Sequence, residues 1–244
     1  MNFKVFLDIG ANIGNHTIWF ADYLSSIYAF EPNPEALKLL QENVNQNRLT
    51  RKVKIFPLAL SDKNGKAFFF RHNPGNLGSA RIIEEDRKGA LEIDVKIGDE
   101  ILNSTRSIHI DFMKIDVEGH EVEVLRGLRE TIRTHRPVAL IEYLKKTALK
   151  ANHELTKYLP SNYTIYGIKG INKITQLFLM KEGLVFEDFN PYKDYSNILC
   201  LPKEKEKTFL ATIDLKQRHL STIFFGLYRK WIVSVLLRHA KYID

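Results

Sequence analysis

The chain has 244 residues, 44% of them hydrophobic and 27% charged, an ordinary composition for a soluble globular protein and enough for one α/β domain with an appendage. Its single cysteine, Cys200, excludes an intrachain disulfide, and no uninterrupted apolar run reaches the length of a membrane span. Much of the net charge of +7 lies in residues 203–244, which carry nine Lys/Arg against four acids, so a basic nucleic-acid groove across the main domain is not expected.

Val5 to Ile9 reads as a buried strand, followed by a glycine-punctuated turn and a helix from Asn15 that carries Ile18, Trp19 and Tyr23. Gly10 and Gly14 allow a tight turn and leave no Cβ between backbone and ligand. The helix start then offers free N–H groups to an anionic group. The second strand, Ile27 to Phe30, ends at Glu31, where an acid can take both hydroxyls of a ribose. These residues describe a site for a nucleoside with an anionic arm. Asn12 stands where G-x-G-x-x-G needs its second glycine, which weakens a dinucleotide reading. Asp8-x-Gly10-x-x-x-Gly14 with a distal Glu31 is instead the pattern for S-adenosylmethionine (SAM) in Rossmann-like methyltransferases.

Further along, Asn33 suits an N-cap and Pro34 the first helical position, with Ala36, Leu37, Leu40 and Val44 at helical spacing. Val53 to Leu60 reads as a third strand, and Pro57 within it points to a sheet edge or a bulge. Ser61 to Gly65 is turn chemistry. Residues 65–97 then read as an antiparallel excursion, with a loop over 71–90 that reads equally as a cover for a substrate or as solvated surface. Phe112 to Val117 is the fourth core strand. One helix is expected from Gly119 to Arg136 through Val122, Leu125, Leu128 and Ile132. The fifth strand, Val138 to Ile141, ends at Glu142. A helix over 147–159, a strand from Tyr163 to Ile168, a weakly patterned stretch over 169–196 and a last strand from Ile198 to Leu201 complete the domain. Alternation of this kind requires a doubly wound α/β sheet, ordered 3-2-1-4-5, with its ligands at the carboxyl ends of the strands.

A second constellation is Lys114-Ile115-Asp116-Val117-Glu118-Gly119-His120-Glu121. Period two along a strand would put Lys114, Asp116 and Glu118 on one side, and charges in a central strand are costly unless paired. Asp116 is expected beside the Gly10–Gly14 turn, and Glu142 at the tip of the next strand, so that three carboxylates converge. Glu121 reads equally well as a helix-start acid. His120 reads most simply as a surface residue, and His16 likewise carries no catalytic assignment. No metal site is assigned; a divalent cation among the carboxylates is a less favoured use of them.

These stretches together resemble the FkbM family of SAM-dependent methyltransferases. The resemblance rests on Phe6 to Gly14, Ala29 to Pro34, Ala59 to Asp62, Lys114 to Glu121 with Val124 to Gly127, and the pairs Arg136-Pro137 and Ile141-Glu142, with a weaker echo at Asn197 to Leu199. It covers about residues 5–145. It implies a Rossmann-like fold and methyl transfer to a hydroxyl oxygen, commonly on a sugar or secondary metabolite. By the same resemblance Asp8, Gly10, Asn12 and Gly14 would bind the methionine end of SAM, Glu31 the ribose, and the Ser61-Asp62 turn would lie near the adenine. Position 120 is more often a small residue in the family, so His120 is a departure. Asp116 is the expected base or orienting group, with Glu118 and Glu142 as partners and Lys114 positioning Asp116.

The domain is expected over 1–202 and a basic amphipathic helical tail over 203–244. In the tail Leu220, Ile223, Phe224, Leu227, Trp231 and Val235 form a stripe edged by basic residues. It would pack on the domain or, in a sharper reading, rest on an anionic membrane. No leader pattern precedes the first strand, so a cytoplasmic chain is expected. An RNA methyltransferase and a non-catalytic SAM-binding module are the rival functions. The first lacks an aromatic-basic face, and the second has no need of the acidic block.

Overall fold

The computed structural model describes residues 3–71, 80–83, 85–103, 108–143, 154–169, 185–191, 193 and 195–211. Strand and helix alternate from the start: β1 (Val5–Ile9), α1 (Asn15–Ala21), β2 (Ser26–Phe30), α2 (Pro34–Gln46) and β3 (Val53–Phe56). Leu7 and Ile9 of β1 enter one core while Phe6 enters the other, as a strand covered on both faces requires. The start of α2 has the expected chemistry, with Asn33 Oδ1 accepting the Glu35 amide at 3.1 Å and Pro34 in the first turn.

The main sheet continues with β8 (Phe112–Ile115), β9 (Val138–Glu142), β10 (Tyr163–Lys169), β11 (Val185–Asp188) and β12 (Asn197–Pro202), in the order β11-β10-β12-β9-β8-β1-β2-β3. From β3 to β9 every pairing is parallel, which is the expected 3-2-1-4-5 order. The remaining three strands extend the sheet antiparallel. Strand order reverses at β1 and β8, where connections leave in opposite directions and open a crevice above the strand ends. Cys200 lies wholly buried in β12, and burial raises its thiol pKa.

The excursion over 65–97 is a second sheet. It contains β4 (Ala59–Ser61), β5 (Gly65–Arg71), β6 (Ala80–Ile83) and β7 (Leu91–Ile97), in the order β4-β7-β5-β6. The single strand expected over 53–60 is therefore two strands in two sheets. The last bond to β2 runs from the Glu31 amide to Phe56 O, the register turns the Pro57 nitrogen to the open edge where a proline is tolerated, and the chain pairs again only from Ala59.

The helix expected from Gly119 to Arg136 is also two, α4 (Glu121–Gly127) and α5 (Arg129–His135). Leu128 between them has φ −113° and ψ 17°. The break keeps Gly127 against the Ser61 backbone while Leu128 and Ile132 both reach the core. A short α3 (Gly98–Asn103), too brief to show a period, precedes β8. Of the helix expected over 147–159, the described part is one 3-10 turn, Glu154–Tyr158; residues 144–153 lie outside the described residues.

After β12, residues 203–211 are helical and dock on the domain. Phe209 and Leu210 pack on the core beside Phe3, and Glu206 accepts from Thr164 Oγ1 at 2.9 Å and from the Tyr166 hydroxyl. The expected stripe from Leu220 to Val235 lies outside the described residues, as do 72–79 and 170–184. Among the described residues no helix is long and apolar enough to cross a membrane.

Candidate active site

The carboxyl ends of β1, β2, β4, β8 and β9 bring together the side chains singled out in the sequence. In the first turn Gly10, Asn12 and Gly14 all have positive φ, at 78°, 51° and 89°. Asn tolerates that region and glycine prefers it. Gly10 is also demanded by its neighbour, because a Cβ there would collide with the Asp116 carbonyl oxygen. The Asp116 amide donates to Ile9 O at 3.0 Å. The glycine turn and the acidic loop are thus pressed together.

Glu31 ties the first two turns. Its Oε2 accepts the Asn12 amide at 2.7 Å and its Oε1 the Asn33 amide at 2.8 Å. Each oxygen keeps a further lone pair for a ligand hydroxyl. The carboxyl is 5% exposed, and this burial, opposed by the two amides, pushes its pKa up to about 7. Asp8 is wholly buried; its Oδ2 accepts the Thr17 hydroxyl at 2.5 Å, while Oδ1 has no partner.

The acidic group forms by a different route from strand alternation. The strand stops at Ile115, and Glu118 and Gly119 take positive φ, 55° and 105°, to turn the chain into α4. The three carboxylates converge nonetheless: Asp116, Glu118 and Glu142 each place an oxygen within 4.8 Å of the others. Lys114, 5% exposed, reaches Asp116 Oδ2 at 2.7 Å. Burial, then the charges of Asp116 and Glu118, push the Glu142 carboxyl up to about 8. Burial and Asp116 raise Glu118 as well, partly offset by Arg81 on β6. Such a carboxylate set, all oxygen donors, also suits a hard divalent cation.

Glu121 settles as a structural acid: its Oε1 accepts the Gly119 amide at 2.9 Å and holds the loop. His120 is not a surface residue. Its side chain is 16% exposed and its Nε2 lies 3.0 Å from Ser61 Oγ. His16 keeps an accessible ring within reach of the Lys114, Asp8 and Asp116 charges, and crowding by protein followed by the Lys114 charge lowers its pKa. Asp62 stands on the turn after β4, with Oδ2 3.4 Å from Arg126 Nη1.

Three participants carry no signal of their own in the sequence. Thr17 is one helical turn beyond Gly14, Asn33 reads only as a cap, and Arg81 lies in a stretch read as loop. Among the described residues, the buried side-chain polar atoms without a hydrogen-bond partner are Asp8 Oδ1, Asn12 Oδ1, Asn33 Nδ2 and Glu142 Oε2. All four belong to these strand ends.

The chain is similar to known methyltransferases in sequence and in fold. The chain is 31% identical over 132 residues to the hexuronic acid methyltransferase AglP of Haloferax volcanii, a match covering 53% of this chain and 52% of that protein. It is 25% identical over 151 residues to the 2-O-methyltransferase NoeI of Sinorhizobium fredii, covering 54% and 60%. The matches therefore span little more than half the length of these relatives. The crystal structure of an FkbM methyltransferase from Methylobacillus flagellatus superposes with a TM-score of 0.53 at 17% identity, covering 82% of this chain and 44% of that one, a likeness of fold. The model of the methyltransferase FkbM domain matches residues 8–164, well over half of the sequence, and on that ground the chain belongs to the FkbM methyltransferase family.

Proposed function

We propose that this protein is a SAM-dependent O-methyltransferase whose acceptor is a hydroxyl of a small molecule, a sugar or a sugar-bearing metabolite. The supporting observation is the placement of the four partnerless buried atoms. Buried polar atoms nearly always find a partner, and here three flank the glycine turn and Glu31 while the fourth lies in the acidic group. A ligand with polar groups along its length, reaching from one to the other, satisfies them. The names of the two relatives, which mention a hexuronic acid and a 2-O position, support a saccharide acceptor.

In this reading Asp8, Gly10, Asn12 and Gly14 hold the methionine end, Glu31 the ribose and Asp62 the adenine. SAM supplies a methyl group already activated on a sulfonium, so the protein has chiefly to align the acceptor and manage one proton. Asp116 takes the hydroxyl proton or orients the hydroxyl, and Lys114 fixes its carboxylate through the 2.7 Å ion pair. Glu142, with a pKa near 8, is largely protonated at neutral pH and serves as a hydrogen-bond donor. Glu118 completes the acceptor side.

The 4.8 Å carboxylate cluster favours one second reading, in which a divalent cation orients the acceptor oxygen. Calorimetric titration with S-adenosylhomocysteine, with and without Mg²⁺ and beside an NAD control, tests both. Micromolar binding of the adenosyl product with no response to NAD is expected; preference for NAD would overturn the proposal. Heat of Mg²⁺ binding that disappears in Glu118→Gln would move the acidic group to the cation reading.

A further inference from the structure

His120 occupies the N-cap position of α4 but makes no capping hydrogen bond. Its ring instead spans two partners. Nδ1 lies 3.5 Å from Glu123 Oε2, and Nε2 lies 3.0 Å from Ser61 Oγ. A hydrogen on Nδ1 facing Glu123 leaves Nε2 as an acceptor, so the Ser61 hydroxyl donates to the ring. Ser61 is wholly buried, and its alternative acceptor is Asp62 Oδ1 at 3.4 Å. The other Asp62 oxygen faces Arg126 at 3.4 Å. Without the imidazole, the Ser61 hydrogen turns to Asp62 Oδ1.

We propose that His120 is a specificity-determining positioning residue, which draws the Ser61 hydroxyl away and leaves the full acceptor strength of Asp62 Oδ1 to the exocyclic amine of the nucleoside base. The inference rests on the reading of Asp62 as the adenine contact and adds a chemical criterion to it: the site selects a base that offers a donor at this position. Burial lowers the pKa of His120, in keeping with the neutral ring this arrangement needs. The same ring also ties the β4 turn to the loop that carries Glu118, because Gly119 is its immediate neighbour in the chain. Adenine recognition and the acidic group therefore share one support.

The test compares S-adenosylhomocysteine with S-inosylhomocysteine, which carries an oxygen acceptor in place of the amine, by calorimetry on the full-length protein. Wild type is expected to prefer the adenosyl ligand by about ten- to a hundredfold, the worth of one hydrogen bond to a charged group. His120→Ala should reduce that preference by weakening the adenosyl ligand alone. His120→Gln, which restores an acceptor, should keep the preference, and Ser61→Ala in the His120→Ala background should recover it. Equal weakening of both ligands in His120→Ala, or an unchanged preference, would overturn the role of His120 while leaving Asp62 in place. No preference in wild type would overturn the Asp62 reading, and the inference with it.

Discussion

Glu31 and Glu142 are carboxyls whose folded-state pKa values, about 7 and about 8, lie above the ordinary value of 4.5. Between the ordinary and the shifted value the folded chain holds more protons than the unfolded chain, so each group lowers stability as pH rises through that window. Glu142→Gln should therefore melt higher than wild type at about pH 8.5 and nearly level with it at about pH 5, as read by thermal denaturation. For Glu31 the proposed ribose contact gives binding the opposite sign, because hydroxyls would donate to the ionised form. The affinity for S-adenosylhomocysteine should fall as pH drops below about 7, and Glu31→Gln should flatten that profile. Asp116→Asn keeps shape but loses the proton acceptor. Its turnover should drop by about a hundredfold or more with product binding kept within about threefold; near-full turnover would remove Asp116 from the chemistry.

At the scale of elements, the contact between α4 and the end of β4 decides how the Ser61-Asp62 turn sits. Gly127 has no positive φ, yet a Cβ on it would collide with the Ser61 carbonyl oxygen. Gly127→Ala should cost about 1–3 kcal/mol and weaken S-adenosylhomocysteine binding, both readable from one melting series with and without ligand. What lay close together in the chain was the most legible: the glycine turn, Glu31 with its following cap, and the carboxylates of the Lys114-to-Glu121 block stand at the strand ends as expected. The helix break was hidden because Val122, Leu125, Leu128 and Ile132 keep a helical rhythm straight through it. The meeting of His120 with Ser61, 59 residues apart, was hidden for another reason: neither residue has a spacing that announces it. Glu118 reached the expected cluster by a left-handed turn that period-two reasoning does not foresee.

For the whole molecule, the docking of residues 203–211 moves the natural boundary of the tail. Arg136, itself the left-handed cap of α5, donates to both Glu204 carboxylate oxygens through its Nε–Nη2 edge, and Lys205 Nζ reaches the Arg136 carbonyl oxygen. A truncation at 208 would strip Phe209 and Leu210 from the core. One that removes only 212–244 leaves these described contacts in place. If the basic tail lies on membranes, flotation on anionic vesicles should be lost with it; unchanged flotation would dismiss that role.

The departure of the chain at Pro57 bears on how copies of this protein meet one another. Among the described residues the main sheet ends at β3 and β11, each four residues long. Long, flat, open edges invite strand-to-strand polymerisation between molecules. At β3 the exposed Lys54 lies over the Phe56 ring at 5.0 Å, and the next residue is a proline that cannot donate. The switch that sends the chain into its second sheet thereby blunts the first one, and a device for building the fold is also its guard against aggregation.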